Sequence, residues 1–253
     1  MAVAARRGRA AQGPRAGAHV MTRMLVSVRS VPEALLAAGG GADFIDLKEP
    51  GEGALGGLPV ATIAAVVSAL RAHGIALPVS ATIGDLPMHA LPRILAQVEA
   101  VGACGVDYVK VGIERGPEAF AVLDALADCG WPVVPVFIAD RGLDAALLAH
   151  ACGLAFPALM ADTADKHAGS LFDAVPMTQL RHFLAQVRAS GRLVGLAGAL
   201  RTMHVPLLQA LAPDFAGFRS AVCVGDRETA LCPQRLAALA VLLRGQAVEP
   251  APA

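Results

Sequence analysis

The sequence contains few lysines, few aromatic residues and no excess of charge of either sign. Its 253 residues include 21 basic and 21 acidic side chains, which gives a formal net charge of zero. Proteins that bind nucleic acid usually carry a basic excess, so this balance argues against that function. The hydrophobic fraction is 55% and the charged fraction 17%, which excludes disorder over most of the chain.

The chain also lacks a hydrophobic run that could cross a membrane. The longest uncharged stretches, 54–70 and 145–161, are interrupted by glycine and proline, whereas a membrane span needs about 20 apolar residues. The five cysteines include no Cys-x-x-Cys pair and no cluster with metal-ligand spacing. We therefore expect a cytoplasmic protein with reduced thiols, no metal, no cofactor and no membrane partner.

Short apolar β-type runs alternate with alanine- and leucine-rich helical stretches, such as 31–38, 62–72 and 117–127. Continuous apolar runs are typical of buried parallel strands, and strand–helix alternation indicates parallel pairing. Eight strands are predicted, at 24–28, 43–48, 78–83, 107–111, 132–138, 156–161, 192–197 and 215–220.

Eight such units predict a single (β/α)8 TIM barrel over residues 24–244. A doubly wound open sheet is the alternative, and it is less favoured because no G-x-G-x-x-G follows the first strand. Residues 1–23, rich in arginine and alanine, and residues 245–253 are predicted to be disordered or flexible tails.

The three lysines are Lys48, Lys110 and Lys166, and the other 18 basic residues are arginines. A lysine amine can lose its proton and act as a nucleophile or base, which an arginine cannot do at ordinary pH. Each lysine lies at, or just past, the carboxyl end of an even-numbered predicted strand. Alternate strands of a TIM barrel contribute to one interior layer, so the three amines are predicted to converge at the barrel mouth.

Two carboxylates accompany these amines: Asp46 shares a strand face with Lys48, and Asp162 ends the sixth strand. Attack on a carbonyl at neutral pH needs an amine pKa of about 7 to 8 instead of about 10.4, a difference of about 4 kcal/mol. The pattern indicates one lysine as Schiff-base nucleophile and another as proton shuttle. The alternative is structural: Lys48 pairs with Asp46, Lys166 pairs with Asp162, and Lys110 is a solvated strand end.

Small residues follow the last two strands, at Gly198 and Ala199 and again at Ser220 after Arg219. The corresponding loops of TIM barrels commonly bind phosphate through backbone amides, where glycine permits close approach. Gly198, Ala199, Arg219 and Ser220 are therefore predicted to bind a phosphate group of the substrate. Tight strand–helix turns without a ligand are the alternative.

Two polar residues close the third strand, Thr82 within it and Asp85 just after it. In a barrel mouth both could bind substrate hydroxyl groups. The alternative is that they cap a turn or, for Asp85, a helix.

Several of these segments resemble the (5-formylfuran-3-yl)methyl phosphate synthase family, which is also called the 4-(hydroxymethyl)-2-furancarboxaldehyde-phosphate (4-HFC-P) synthase family. The resemblance extends over about residues 24–243 and includes the second-strand signature D-F-I-D-L-K-E-P-G-E-G-A-L-G. The matching segments are 43–56, 80–87, 107–112, 162–166, 170–173, 196–198 and the loop at Arg219.

The resemblance implies a TIM-barrel lyase that condenses two molecules of glyceraldehyde 3-phosphate, with loss of phosphate and water, in the biosynthesis of methanofuran or an analogue. It implies that Lys48 forms the Schiff base and that Lys110 accepts a proton. Asp46, Asp162 and Lys166 match residues around the same centre. We also expect a homo-oligomer without a cofactor.

The sequence departs from that pattern after Lys166, where His167-Ala-Gly169 offers little basic charge for a second phosphate. Two other functions are compatible with the residues. One is a class I aldolase of another sugar phosphate, which would use the same lysine chemistry. The other is a barrel that binds a phosphorylated metabolite without catalysis.

Overall fold

A closed barrel of eight parallel strands, paired in chain order with the last strand beside the first, organises this protein. The computed structural model describes residues 21–53 and 55–245. The predicted (β/α)8 barrel is confirmed, and closure of the sheet excludes the doubly wound alternative. The strands are β1 (Arg23–Val28), β2 (Phe44–Leu47), β3 (Val79–Thr82), β4 (Tyr108–Ile113), β5 (Val133–Ile138), β6 (Ala158–Asp162), β7 (Leu193–Leu196) and β8 (Phe215–Phe218).

Helices follow every strand on the outside of the barrel, and the predicted helical segments start or end within two residues of their observed bounds. Local capping fixes some of the starts: the hydroxyl of Ser30 accepts the amide hydrogen of Glu33, and Asp144 accepts two amides in the same way. The helices are α1 (Val31–Gly39), α2 (Val60–Ala72), α3 (Leu91–Gly102), α4 (Glu118–Asp128), α5 (Ala145–Gly153), α6 (Leu171–Ala174), α7 (Met177–Ala189), α8 (Val205–Leu211) and α9 (Pro233–Leu243).

The barrel begins slightly earlier than predicted, since Arg23 is the first residue of β1. Its amide donates to the backbone oxygen of Asp214 at 3.1 Å, which joins the start of the chain's first strand to the last one. The other residues of the two predicted tails, apart from 21, 22 and 245, lie outside the described residues.

An aspartate precedes each of three even-numbered strands: Asp43 before β2, Asp107 before β4 and Asp214 before β8. Each carboxylate accepts a backbone amide near the start of the preceding strand, at 2.7 to 2.8 Å. The sequence placed Asp43 and Asp107 inside strands, whereas both lie one residue before them. They act as caps that fix the register at the amino-terminal end of the barrel.

Apolar side chains fill two layers, one between strands and helices and one inside the barrel. Inside, Phe44 and Phe215 pack with ring centroids 5.6 Å apart, and Met160 and Val136 pack in the same cluster. A Cβ at Gly195 would lie 2.2 Å from the ring of Phe215, so this position must be glycine for the ring to fit. This cluster of apolar side chains, which we call the apolar plug, closes the barrel interior and leaves the carboxyl end of the barrel polar.

Candidate active site

A pocket opens at the carboxyl ends of the strands, which is where TIM-barrel enzymes hold their active sites. Side chains alternate along a strand, so the polar residues that face the interior lie directly above the apolar plug. The residues that line the pocket are Leu25, Ser27, Asp46, Lys48, Pro50, Lys110, Met160, Asp162, Lys166, Ala197, Gly198, Ala199, Leu200, Gly217, Arg219, Ser220 and Arg227.

All three lysines line this one pocket. Lys48 follows β2 directly and is 6% exposed, while Lys110 is 3% exposed. Lys166 lies four residues beyond β6, and its side chain is 8% exposed. The sequence placed Lys110 at a strand end, but it is the third of the six residues of β4. It therefore lies deeper in the barrel than predicted and is not a solvated strand end.

The pairing of the lysines with the two carboxylates differs from the structural alternative drawn from the sequence. Lys110 Nζ lies 3.0 Å from Asp46 Oδ1, and Lys48 Nζ lies 3.5 Å from Asp162 Oδ2. Lys48 is thus paired across the barrel and not with Asp46, its neighbour on β2. Lys166 does pair with Asp162, as the spacing suggested, and also donates to the backbone oxygen of Thr163.

Two serines hold the carboxylate of Asp46 in addition to Lys110. Ser80 on β3 donates to Oδ1 at 2.6 Å, and Ser27 on β1 donates to Oδ2 at 3.1 Å. Both serines come from the strands that flank β2, so the register of the sheet brings them to the same level. A carboxylate with three donors is fixed in orientation, and it in turn fixes the amine of Lys110.

The pKa of Lys48 is lowered from 10.5 to about 8. Burial is the main cause because it disfavours the charged amine, and the ammonium groups of Lys166 and Lys110 act in the same direction. The carboxylates of Asp162 and Asp46 oppose the shift. At pH 7 roughly one Lys48 amine in ten is then neutral, against about one in three thousand for an unperturbed lysine.

The carboxylate of Asp162 is held in its charged form by the same lysines. Burial would raise its pKa, but the nearby ammonium groups of Lys166 and Lys48 outweigh burial and lower the pKa to about 2. Asp162 therefore stays negative at neutral pH while the amine of Lys48 loses its proton easily. The site combines a reactive amine with a permanent counter-charge.

The loop after β7 has an unusual backbone. Gly198 and Ala199 have φ angles of 111° and 45°, both in the left-handed region. A side chain at Gly198 would also be placed 2.9 Å from the hydroxyl oxygen of Thr163, so only glycine fits there. Among the described residues, the amides of Gly198 and Ala199 donate no hydrogen bond to protein, and both residues line the pocket beside Ser220.

Arg219 has a different role from the phosphate binding predicted for it. Its guanidinium forms two hydrogen bonds with Glu33, at 2.6 and 3.1 Å. The other three N–H groups donate to the backbone oxygens of Ser27, Arg227 and Thr229, at 2.8 to 3.1 Å. All five donors of this arginine are engaged by the protein, so it fixes the loop after β8 and has no donor left for a ligand.

Thr82 and Asp85 do not have the substrate-binding positions that the sequence predicts for them. Thr82 donates to the backbone oxygen of Gly56 at 2.8 Å, and Asp85 accepts the amide of Leu55 at 3.1 Å. Neither residue lines the pocket. Asp85 is not a helix cap either, because α3 starts at Leu91. Both side chains hold the loop between β2 and α2 in place.

Arg227 is a charged pocket residue that the sequence did not reveal, and Ser27 is a polar one. Arg227 lies in the loop between β8 and α9, and nothing in the local pattern distinguishes it from the other 17 arginines. Burial lowers its pKa, and the carboxylate of Asp162 acts in the opposite direction.

No three histidine, cysteine, aspartate or glutamate side chains in the described part of the chain are grouped so that they could hold a metal ion. Within the same ranges, no helix has the length and apolar character needed to cross a membrane.

A TIM barrel whose mouth carries a buried, easily deprotonated lysine among carboxylates defines an enzyme. The sequence model of the 4-HFC-P synthase family matches residues 24–240, and the chain belongs to this family. It is 34% identical over 223 residues to the (5-formylfuran-3-yl)methyl phosphate synthase of Archaeoglobus fulgidus, covering 82% of this chain and 93% of that protein. The enzyme of the same name from Methanosarcina mazei is 32% identical over 226 residues, covering 83% and 94% of the two chains.

A solved structure with the same fold is that of phosphoribosyl anthranilate isomerase from Thermus thermophilus. It superposes with a TM-score of 0.60 at 20% identity and covers 88% of this chain and 99% of the isomerase. At that identity the similarity shows the barrel fold and carries no information about the reaction.

Proposed function

We propose that the protein is a lyase that condenses two molecules of glyceraldehyde 3-phosphate to (5-formylfuran-3-yl)methyl phosphate through a Schiff base on Lys48. The observation that carries the proposal is the state of the Lys48 amine, which is buried in the pocket with a pKa of about 8. The family membership of the chain supports the product.

The neutral Nζ of Lys48 attacks the aldehyde carbon of one triose phosphate and forms a carbinolamine. The ammonium group of Lys110 gives a proton to the carbinolamine hydroxyl, which leaves as water while the iminium forms. Lys110 is then neutral and accepts the C2 proton, whose C–H electrons move into the iminium to give an enamine. The hydrogen bond from Lys110 to Asp46, at 3.0 Å, supports this shuttle because it holds the amine in place.

The enamine carbon then attacks the aldehyde carbon of the second triose. Ring closure and elimination yield the aromatic furan, and hydrolysis returns Lys48 to the free amine. Overall, one phosphate and two water molecules are released, which balances the atoms of the two trioses and the product. Asp162 balances the charge of Lys48 and Lys166 during these steps. The iminium on Lys48 is the electron sink, and Lys110 transfers the protons.

The phosphate of the substrate would bind beside the amines, at the backbone amides of Gly198 and Ala199 and next to Ser220. The left-handed backbone at Gly198 and Ala199 and the absence of protein acceptors for their amides, within the described ranges, support this assignment. The family membership of the chain supports a role in making methanofuran or an analogue. The homo-oligomer and the cytoplasmic location stay predictions.

Incubation of the purified protein with glyceraldehyde 3-phosphate alone tests the function. We expect an aromatic aldehyde that absorbs in the near ultraviolet and an equivalent release of inorganic phosphate. Lys48→Arg keeps the charge but removes the nucleophile, so it should abolish product formation while the melting temperature and the circular dichroism spectrum stay close to wild type. Arg93→Lys, on the exposed surface of α3, is the matched control and should retain full activity.

Other outcomes separate the alternatives. A new sugar phosphate without an aromatic product would indicate a class I aldolase. Triose phosphate binding without any product or covalent adduct would indicate a binding protein. Full turnover by Lys48→Arg would refute the assigned nucleophile.

A further inference from the structure

The side chain of Arg227 reaches into the mouth of the pocket from the loop between β8 and α9. One Nη2 hydrogen donates to the backbone oxygen of Gly53 at 3.3 Å, in the loop between β2 and α2. Arg227 therefore lies across the entrance, between two loops on opposite sides of β1. The residue is partly exposed, so a ligand can reach its guanidinium.

Hydrogen bonds to backbone and side-chain atoms fix the loop that carries Arg227. Arg219 donates to the backbone oxygens of Arg227 and Thr229, and the amide of Gly225 donates to the hydroxyl of Thr229 at 2.9 Å. An antiparallel bridge between Cys223 and Leu231 closes the base of the loop. The backbone that carries Arg227 is thus fixed, while its side chain donates one hydrogen bond, to Gly53, among the described residues.

The two arginines of this region differ in their unused hydrogen-bond donors. Arg219 has none, since Glu33 and three backbone oxygens take all five. Arg227 makes the single contact with Gly53 among the described residues, which leaves Nε, Nη1 and one hydrogen of Nη2 available. A guanidinium with a free edge is suited to paired hydrogen bonds with phosphate oxygens.

The charge of the pocket fits one phosphate group. Three lysines and Arg227 face the carboxylates of Asp46 and Asp162, while Glu33 neutralises Arg219. The lining therefore has a net charge of plus two, whereas a phosphate monoester carries about −1.5 to −2 at pH 7. Without Arg227 the pocket would have one positive charge, too little to balance the phosphate.

We propose that Arg227 binds the phosphate group of the substrate and makes the site selective for phosphorylated over unphosphorylated aldehydes. The inference rests on the proposed function for the identity of the aldehyde, and on the pocket alone for the phosphate. Arg227 acts as a specificity-determining residue, together with the backbone amides of the β7 loop.

Binding of inorganic phosphate, followed by calorimetry, tests the inference without any reaction. Arg227→Gln keeps a donor for the Gly53 oxygen but loses the charge, and it should raise the phosphate dissociation constant by about ten- to a hundredfold. Arg227→Lys keeps the charge and should fall between Arg227→Gln and wild type. Arg201→Gln, which removes an exposed arginine outside the pocket lining, should bind phosphate like wild type.

A kinetic comparison distinguishes recognition from a structural role. In Arg227→Gln the loss in kcat/KM for glyceraldehyde 3-phosphate should appear chiefly in KM, while unphosphorylated glyceraldehyde should form a borohydride-reducible adduct as fast as in wild type. Equal losses for both aldehydes would overturn the inference. Unchanged phosphate binding in Arg227→Gln, or no phosphate binding by wild type, would also overturn it. If wild type makes no furan but phosphate binding depends on Arg227, the proposed function fails while the phosphate site stands.

Discussion

Lys48 and Asp162 are 114 residues apart in the chain, yet the amine of the first lies 3.5 Å from the carboxylate of the second. Closure of the barrel brings β2 and β6 to opposite sides of one pocket, and the two charged groups meet above its apolar plug. Asp162 raises the pKa of Lys48, against burial and the two other ammonium groups, which lower it. The reactivity of the amine therefore depends on how these influences balance.

Asp162→Asn should shift this balance toward the neutral amine. Removal of the carboxylate takes away an influence that raises the pKa of Lys48, so the pKa should fall further below 8. We expect the midpoint of the pH dependence of adduct formation with borohydride to move down by about one pH unit. Asp165→Asn, an exposed change on the same loop, should leave the midpoint in place; a midpoint that rises in Asp162→Asn would contradict this electrostatic account.

Lys48→Met should stabilise the protein near neutral pH. The folded-state pKa of about 8 lies below the value of 10.5 for a free lysine. Between these two pH values the unfolded chain binds more protons than the folded one, and below about pH 8 the charged amine destabilises the fold by the full amount. The shift corresponds to about 3 kcal/mol. This advantage of Lys48→Met over wild type should shrink as the pH rises from 8 to 10.5, as measured by urea unfolding. An advantage that does not change over this range would show that the lysine is not desolvated.

Ser80→Ala should weaken catalysis by loosening Asp46. The hydroxyl donates to Asp46 at 2.6 Å in a buried position, and its loss should lower the free energy of unfolding by about 1 to 3 kcal/mol. Because Asp46 holds Lys110, we expect kcat to fall by roughly tenfold while KM changes little. Ser190→Ala, at the end of α7 and far from the pocket, controls for the loss of a hydroxyl. Unchanged kcat in Ser80→Ala would argue against a part for Asp46 in the proton shuttle.

Glu33→Gln tests whether Arg219 is structural. The pair is largely buried, with side-chain exposures of 8% for Arg219 and 12% for Glu33, so removal of the carboxylate leaves a guanidinium without its partner. We expect a loss of about 3 to 5 kcal/mol in the free energy of unfolding. Glu99→Gln, on the exposed side of α3, should change it by less than about 0.5 kcal/mol. A stable Glu33→Gln with weakened phosphate binding would return the phosphate role to Arg219.

The fold and the lysine cluster could be predicted because both have local signatures. Buried parallel strands have continuous apolar sequences, which makes them recognisable. Side chains two residues apart share a strand face, so Asp46 and Lys48 lie on the same side. Placement on even-numbered strands then implies one interior layer, so the meeting of Lys48, Lys110 and Lys166 follows from their positions alone.

The partners of these residues could not be predicted, because they depend on side-chain reach between distant segments. Glu33 and Arg219 are separated by 186 residues. No local pattern indicates that this glutamate accepts hydrogen bonds from Arg219, the arginine that the sequence predicts to bind phosphate. Arg227 was missed for the same reason, since its importance depends on where its loop crosses the pocket. Thr82 and Asp85 have plausible positions for substrate contact, but the conformation of the β2–α2 loop turns them into loop anchors.

Mass spectrometry of the protein after reaction with glyceraldehyde 3-phosphate and borohydride tests the covalent step most directly. We expect one reduced triose phosphate per chain, attached to the peptide that contains Lys48, and the loss of this adduct in Lys48→Arg. An adduct confined to Lys110 or Lys166, or no adduct in a protein that still forms the furan, would contradict this expectation.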